Sequence, residues 1–242
     1  MNLPNVLTAG RIAAAPLIAW LPLASSATLR CAAFVLFAAA AITDYIDGHL
    51  ARSRAQETDL GRMLDPLADK LLLVATLVPM FLLMGSGGTF SMLSPHHAPL
   101  VAASVGAVAR RGGGAAFPFV TPFGLIGLPW WIPAVIIGRE AFMSVFRQVA
   151  ARRGVVISAI GPAKWKTGFQ LVWVGAAFLW FWVATLAVDR AWAGTSWRSV
   201  AYLNGTLGVM AMAGATLLTL YSLGLYVRSH GGVLAGAPHR PA

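Results

Sequence analysis

Negative charge is the scarcest commodity in this chain: eight Asp and Glu stand against eighteen Lys and Arg. Charged residues of both signs fill only 11% of the 242 positions, whereas 58% are hydrophobic. A soluble domain carries about a quarter charged residues, so water is not the main solvent of this protein. Strand-like alternation of apolar and polar residues is absent, which excludes a transmembrane barrel. No internal repeat is present, direct or inverted, although many transporters are built from one. The single cysteine, Cys31, excludes an intrachain disulfide and lies in an apolar stretch as a packing residue.

What is present is a series of apolar runs, each near the roughly 20 residues needed to cross a hydrocarbon core. Six fall at approximately 8–27, 31–53, 63–85, 131–151, 165–187 and 199–227. The expected fold is therefore all-α, a polytopic membrane protein with six transmembrane helices, since helices satisfy their own backbone in lipid. The first run reads as an uncleaved helix rather than a secretory leader, because Arg11 comes late for a basic leader region and more apolar runs follow. Residues 1–228 form one membrane domain. A Gly- and Pro-containing stretch, 86–130, is read as an extended external or interfacial loop, and 229–242 as a flexible tail. Leu100 to Val108 is too short to span, and His96 and His97 read as solvated loop residues rather than a metal site.

The net charge of +10 is sorted by side. With the N-terminus inside, one face collects Arg11, Arg52, Arg54, Arg62, Lys70, Arg147, Arg152, Arg153, Lys164, Lys166, Arg228 and Arg240. The other receives only Arg30, Arg110, Arg111, Arg190 and Arg198. This agrees with an N-in, C-in topology by the positive-inside rule. Anionic head groups and anionic substrates, not nucleic acid, are the partners such a face implies.

The few acids are concentrated. Asp44, Asp47, Glu57, Asp59, Asp65 and Asp69 leave only Glu140 and Asp189 elsewhere. Carboxylates at the ends of membrane helices cost a few kcal/mol unless they pair or bind a cation. At about 100° per residue, Asp44, Asp47, Gly48 and Ala51 share one face of the second helix. Asp65 and Asp69 share a face of the third, with Gly61 one turn before. Pro66 is expected within a turn of that helix's start, where its missing N–H has no partner anyway. Two helix ends thus present four carboxylates beside positions with almost no side chain. Oxygen ligands of this kind suit Mg²⁺ or Mn²⁺, and four suggest two ions clamping a diphosphate. The structural alternative is that the acids pair with Arg52, Arg54, Arg62 and Lys70. Arg52 can offer a fork of donors to a phosphate or simply snorkel to the interface.

Asp44-x-x-Asp47-Gly48-x-x-Ala51-Arg52, eight residues, then Gly61-x-x-x-Asp65-x-x-x-Asp69 resembles the signature of the CDP-alcohol phosphotransferases. The resemblance implies a six-helix homodimer with its active site at the cytoplasmic end, in a bacterial inner membrane. It implies that Asp44, Asp47, Asp65 and Asp69 hold two divalent ions, Mg²⁺ or Mn²⁺, that Asp69 is the general base, and that Gly48, Ala51, Arg52 and Gly61 line the cytidine diphosphate site.

Further motifs resemble the bacterial phosphatidylglycerophosphate synthases of that family. They are Asn2-Leu3-Pro4-Asn5-x-Leu7-Thr8-x-x-Arg11-Ile12, Gly138-Arg139-Glu140 with Arg147, and Lys164-Trp165-Lys166-Thr167-x-x-Gln170. This implies CDP-diacylglycerol as donor, glycerol 3-phosphate as acceptor, and CMP release. Thr8 and Arg11 are further site candidates.

Arg139 lies inside an apolar helix, where an unpaired charge is costly. Glu140 is adjacent in sequence, faces elsewhere, and reads as a poor partner for it. Arg139, Arg147, Lys164 and Lys166 are the candidate acceptor-phosphate group, with positive-inside anchoring the plainer role for the two lysines. The rival readings are another acceptor, inositol phosphate or phosphatidylglycerol, and, more distantly, a divalent-cation transporter.

Overall fold

The computed structural model describes residues 3–54, 59–85, 117–153, 161–192 and 194–234. Helix α1 (Leu3–Trp20) runs into a short 3₁₀ turn, Leu21–Leu23, and is followed by α2 (Ala27–Arg54) and α3 (Asp59–Met84). A hairpin of β1 (Phe119–Thr121) and β2 (Gly124–Ile126) precedes α4 (Trp131–Arg152), α5 (Gly161–Asp189) and α6 (Thr195–Leu234). Among the described residues, five helices are long and apolar enough to cross a membrane. The exception is α4, whose apolar run is interrupted by Arg139, Glu140, Arg147 and Arg152.

Helix length positions the acids. With 28 residues, α2 is about 42 Å long at 1.5 Å per residue, more than a hydrocarbon core of about 30 Å. Its apolar window ends at Asp44, and that of α3 begins at Pro66. The signature therefore straddles the edge of the apolar zone on both helices. The start of α3 at Asp59 corrects the expectation for Pro66, which lies inside the helix instead of in its first turn. A proline there leaves the carbonyl four residues back without its helical donor. The link between α2 and α3 lies outside the described residues.

α5 packs against α2 and α6, α1 against α2 and α3, and α4 against α6 and α3. Buried Trp173, Phe178 and Phe181 make α5 the centre of the core. Thr76, Thr185, Thr216 and Thr219 donate their hydroxyls to carbonyls one turn back, so their polarity is satisfied within the helix. Large apolar side chains such as Leu17, Val35, Val78 and Leu217 are exposed on the outside, as expected where lipid is the solvent.

The stretch read as an extended loop divides. Residues 86–116, including His96 and His97, lie outside the described residues. Residues 117–128 are not an open loop: Phe117, Phe119, Val120 and Leu128 are buried. Phe119 pairs with Ile126 and Thr121 with Gly124 across a two-residue turn, where Gly124 adopts a positive φ of 139°. Thr121 Oγ1 donates to the Gly124 carbonyl at 2.8 Å. The hairpin is tied to the end of α3, with Leu128 N–H donating to the Met84 carbonyl at 2.8 Å. It packs on α6 only because Gly205 and Gly208 have no side chain. A Cβ at 205 would strike the Val120 backbone, and one at 208 the Phe119 ring. At the other end of the chain, α6 continues past Arg228 to Leu234, and 235–242 lie outside the described residues.

Candidate active site

Three helices meet at Arg11. Its guanidinium is 4% exposed and ion-paired through Nη1 to Asp44 Oδ1 of α2. The same nitrogen lies 3.4 Å from Asp69 Oδ1 of α3, and Nη2 lies 3.4 Å from Thr8 Oγ1, one turn back on α1. The carboxylates are far more open, with side chains 51% and 62% exposed. The cation is thus sealed beneath, and the two acids face outward above it. Acids from two helices held this close repel one another, and Arg11 offsets that repulsion. Of the two readings of the acids, pairing with Arg52, Arg54, Arg62 and Lys70 or binding of cations, neither foresaw this partner.

The structure therefore brings Asp44, Asp69, Thr8 and Arg11 together. The side chains of Asp47, Gly48, Ala51 and Arg52 on α2, of Gly61 and Asp65 on α3, and of Lys164 on α5 lie outside the described residues.

A second cluster joins α4, α5 and α6. Arg139 Nη1 donates to Glu140 Oε1 at 2.8 Å, and Lys166 Nζ donates to the same oxygen at 2.5 Å. Glu140 is therefore the partner of Arg139, contrary to the expectation from its place in the sequence. Neighbouring helical residues leave the axis about 100° apart, but Arg and Glu side chains are long enough to curl back toward each other. Arg139 also lies 3.5 Å from Ser222 Oγ, with its guanidinium 6.0 Å from the centre of the Tyr226 ring. Arg147 is exposed.

Ser222 and Tyr226 carry no motif in the sequence. Their signal is four-residue spacing on one face of an otherwise apolar helix. Asp44 stands in the second half of α2, Asp69 in the first half of α3 and Lys166 near the start of α5.

Known proteins are similar to this chain. The sequence profile of the CDP-alcohol phosphatidyltransferase family matches residues 1–221. Identity is 33% over 181 residues to the CDP-diacylglycerol–glycerol-3-phosphate 3-phosphatidyltransferase 2 of Arabidopsis thaliana, covering 71% of this chain and 62% of that protein. The enzyme named CDP-diacylglycerol–glycerol-3-phosphate 3-phosphatidyltransferase in Cereibacter sphaeroides is 31% identical over 181 residues, 74% of this chain and 63% of its own. A cardiolipin synthase (CMP-forming) of Oryza sativa subsp. japonica is 36% identical over 183 residues, 71% of this chain and 44% of its own. The chain belongs to the CDP-alcohol phosphatidyltransferase family. The matched region spans less than two thirds of the length of these relatives.

Proposed function

We propose that this protein is a phosphatidylglycerophosphate synthase: it transfers the phosphatidyl group of CDP-diacylglycerol to glycerol 3-phosphate and releases CMP. The observation that carries this reading is the convergence of Asp44 and Asp69, two signature carboxylates on different helices, on buried Arg11. Half-exposed, oxygen-only donors fit a hard divalent cation. Asp44, Asp47, Asp65 and Asp69 would hold two Mg²⁺ or Mn²⁺ ions, which would supply neutralising charge for the diphosphate and the departing CMP.

The remaining chemistry belongs to the chain. Asp69 takes the proton of the attacking hydroxyl. The new O–P bond forms at the phosphorus carrying diacylglycerol as its bond to CMP breaks. Gly48, Ala51 and Gly61 let the nucleotide approach the backbone, and Arg52 offers it a fork of donors. Arg11, with Thr8 beside its guanidinium, holds the carboxylates from below. Arg139, Arg147, Lys164 and Lys166 receive the acceptor's phosphate. Catalysis is largely positioning and charge stabilisation.

The same reading makes α4 a sixth span, its charges facing the bundle instead of lipid, with N- and C-termini inside. It places the active site at the cytoplasmic face of a bacterial inner membrane and the chain in a homodimer. Family membership favours group transfer over the ion-transport alternative. A second acceptor, phosphatidylglycerol, is favoured by the similarity to a cardiolipin synthase.

Mass spectrometry of the lipid product decides between them. The purified protein is supplied with CDP-diacylglycerol, Mg²⁺ and one acceptor at a time. Phosphatidylglycerophosphate formed from glycerol 3-phosphate is the expected result. Cardiolipin formed only from phosphatidylglycerol would replace the acceptor, and no lipid product with any acceptor would overturn the reading.

A further inference from the structure

One oxygen, Glu140 Oε1, receives both Arg139 Nη1 and Lys166 Nζ. The two cationic side chains are 5% and 7% exposed, whereas that of Glu140 is 28% exposed. The carboxylate is thus the most open member of the trio and already occupies a donor of each cation. Arg139 Nε is buried with no hydrogen-bond partner among the described residues, so the guanidinium keeps a donor that Glu140 does not use. Exposed Arg147, about two turns further along α4, adds positive charge beyond the trio.

We propose that Glu140 is a positioning and selectivity residue of the acceptor site, holding Arg139 and Lys166 convergent until a phosphate monoester dianion takes its place. The proposal rests on the reading that the acceptor carries a phosphate, and it adds the means of choosing among phosphates. A carboxylate and a phosphodiester are alike to these cations: each has one negative charge and two oxygens able to accept. Exchanging Glu140 for a diester gains little. A monoester brings about two charges near neutral pH and three accepting oxygens, so it draws more from both cations and reaches the spare Nε donor. The resident carboxylate thus sets a threshold that the dianion passes and the monoanion does not. Glu140 acts through the cations and touches no reacting atom.

Glu140→Gln preserves the shape and one oxygen acceptor while removing the charge. The probes are inorganic phosphate and dimethyl phosphate, each titrated against the thermal unfolding of detergent-purified protein. In Glu140→Gln, inorganic phosphate is expected to stabilise at about tenfold lower concentration than in the native protein. Dimethyl phosphate, inert toward the native protein, becomes stabilising. In turnover, KM for glycerol 3-phosphate falls by a similar factor while kcat changes little, a split that general loss of structure does not produce. Unchanged phosphate and dimethyl phosphate titrations would overturn the proposal.

Should Glu140→Gln fail to fold, Lys166→Gln provides the opposite arm. It is expected to weaken phosphate binding about tenfold, and an unaltered titration would again overturn it. Native protein that turns over phosphatidylglycerol but not glycerol 3-phosphate would overturn the acceptor assignment alone. The phosphate titrations decide the role of Glu140 separately.

Discussion

The two ends of the helix bundle handle buried polarity in opposite ways. At the hairpin end, buried polar side chains make their hydrogen bonds to neutral partners. Arg30 Nε donates to the Pro22 carbonyl at 3.0 Å, its Nη1 meets Thr185, and its guanidinium lies 4.6 Å from the centre of the Phe117 ring. Trp180 Nε1 donates to the Pro118 carbonyl at 3.0 Å. At the acid end charge is matched with charge, Arg11 against Asp44 and Asp69, and Arg139 and Lys166 against Glu140. There the cations are sealed inside and the carboxylates are part-exposed. A closed set of neutral contacts can only hold helices together. A buried cation under an open anion can also exchange its partner for a ligand. Substitutions at the two ends should therefore separate stability from activity.

The largest effect is expected at Asp69. Asp69→Asn removes both a cation ligand and the base, and CMP release should fall by about 10³-fold or more. Its thermal midpoint should stay close to that of the native protein, because the side chain is 62% exposed. A variant that lost both together would erase the contrast between the ends.

Gly205→Leu tests the opposite end. With the Val120 backbone in the path of the new Cβ, overpacking should cost about 3 kcal/mol, read as a lower midpoint in thermal unfolding. CMP release per folded molecule should remain near native.

Arg11→Gln is intermediate and sharpens the comparison. Without the guanidinium, Asp44 and Asp69 face each other uncompensated, and stability in chelator should drop by about 1–2 kcal/mol. Added Mg²⁺ should restore most of that loss, since the cation takes over the neutralising role. Thermal unfolding with and without Mg²⁺ measures it.

The smallest effect is expected from Trp197→Ala, which removes a 5.8 Å stack on Trp180 and an edge contact with Trp192. The loss should be about 1 kcal/mol, with activity unaltered.

Local pattern made part of this legible. Apolar run length placed the middle four helices to within about four residues of their ends, but it set the first at 8–27 where α1 runs Leu3–Trp20, and ended the last at 227 where α6 runs to Leu234. The concentration of six acids between Asp44 and Asp69 located the candidate site. Tertiary partners were another matter. Arg11 stood out only as part of a resemblance, because its pairing with residues 33 and 58 positions away depends on how α1 crosses α2 and α3.

The pairing of Glu140 with Arg139 is hidden from helix-face directions because it depends on the reach of two long side chains. The hairpin was hidden because Phe119 to Ile126 is too short for alternation to register. Its packing partners, Gly205 and Gly208, are defined by lacking a side chain. Pro66 marked a helix start only if no tertiary contact carried α3 past it, and the helix instead begins at Asp59.

The most direct measurement is CMP release from CDP-diacylglycerol and glycerol 3-phosphate by purified protein, stripped of divalent ions by chelation and then given them back. Release should stop on chelation and return with Mg²⁺ or Mn²⁺ in the native protein but not in Asp69→Asn. Release that persists through chelation, or that Asp69→Asn sustains at the native rate, would contradict a cation-dependent transferase site built on these carboxylates.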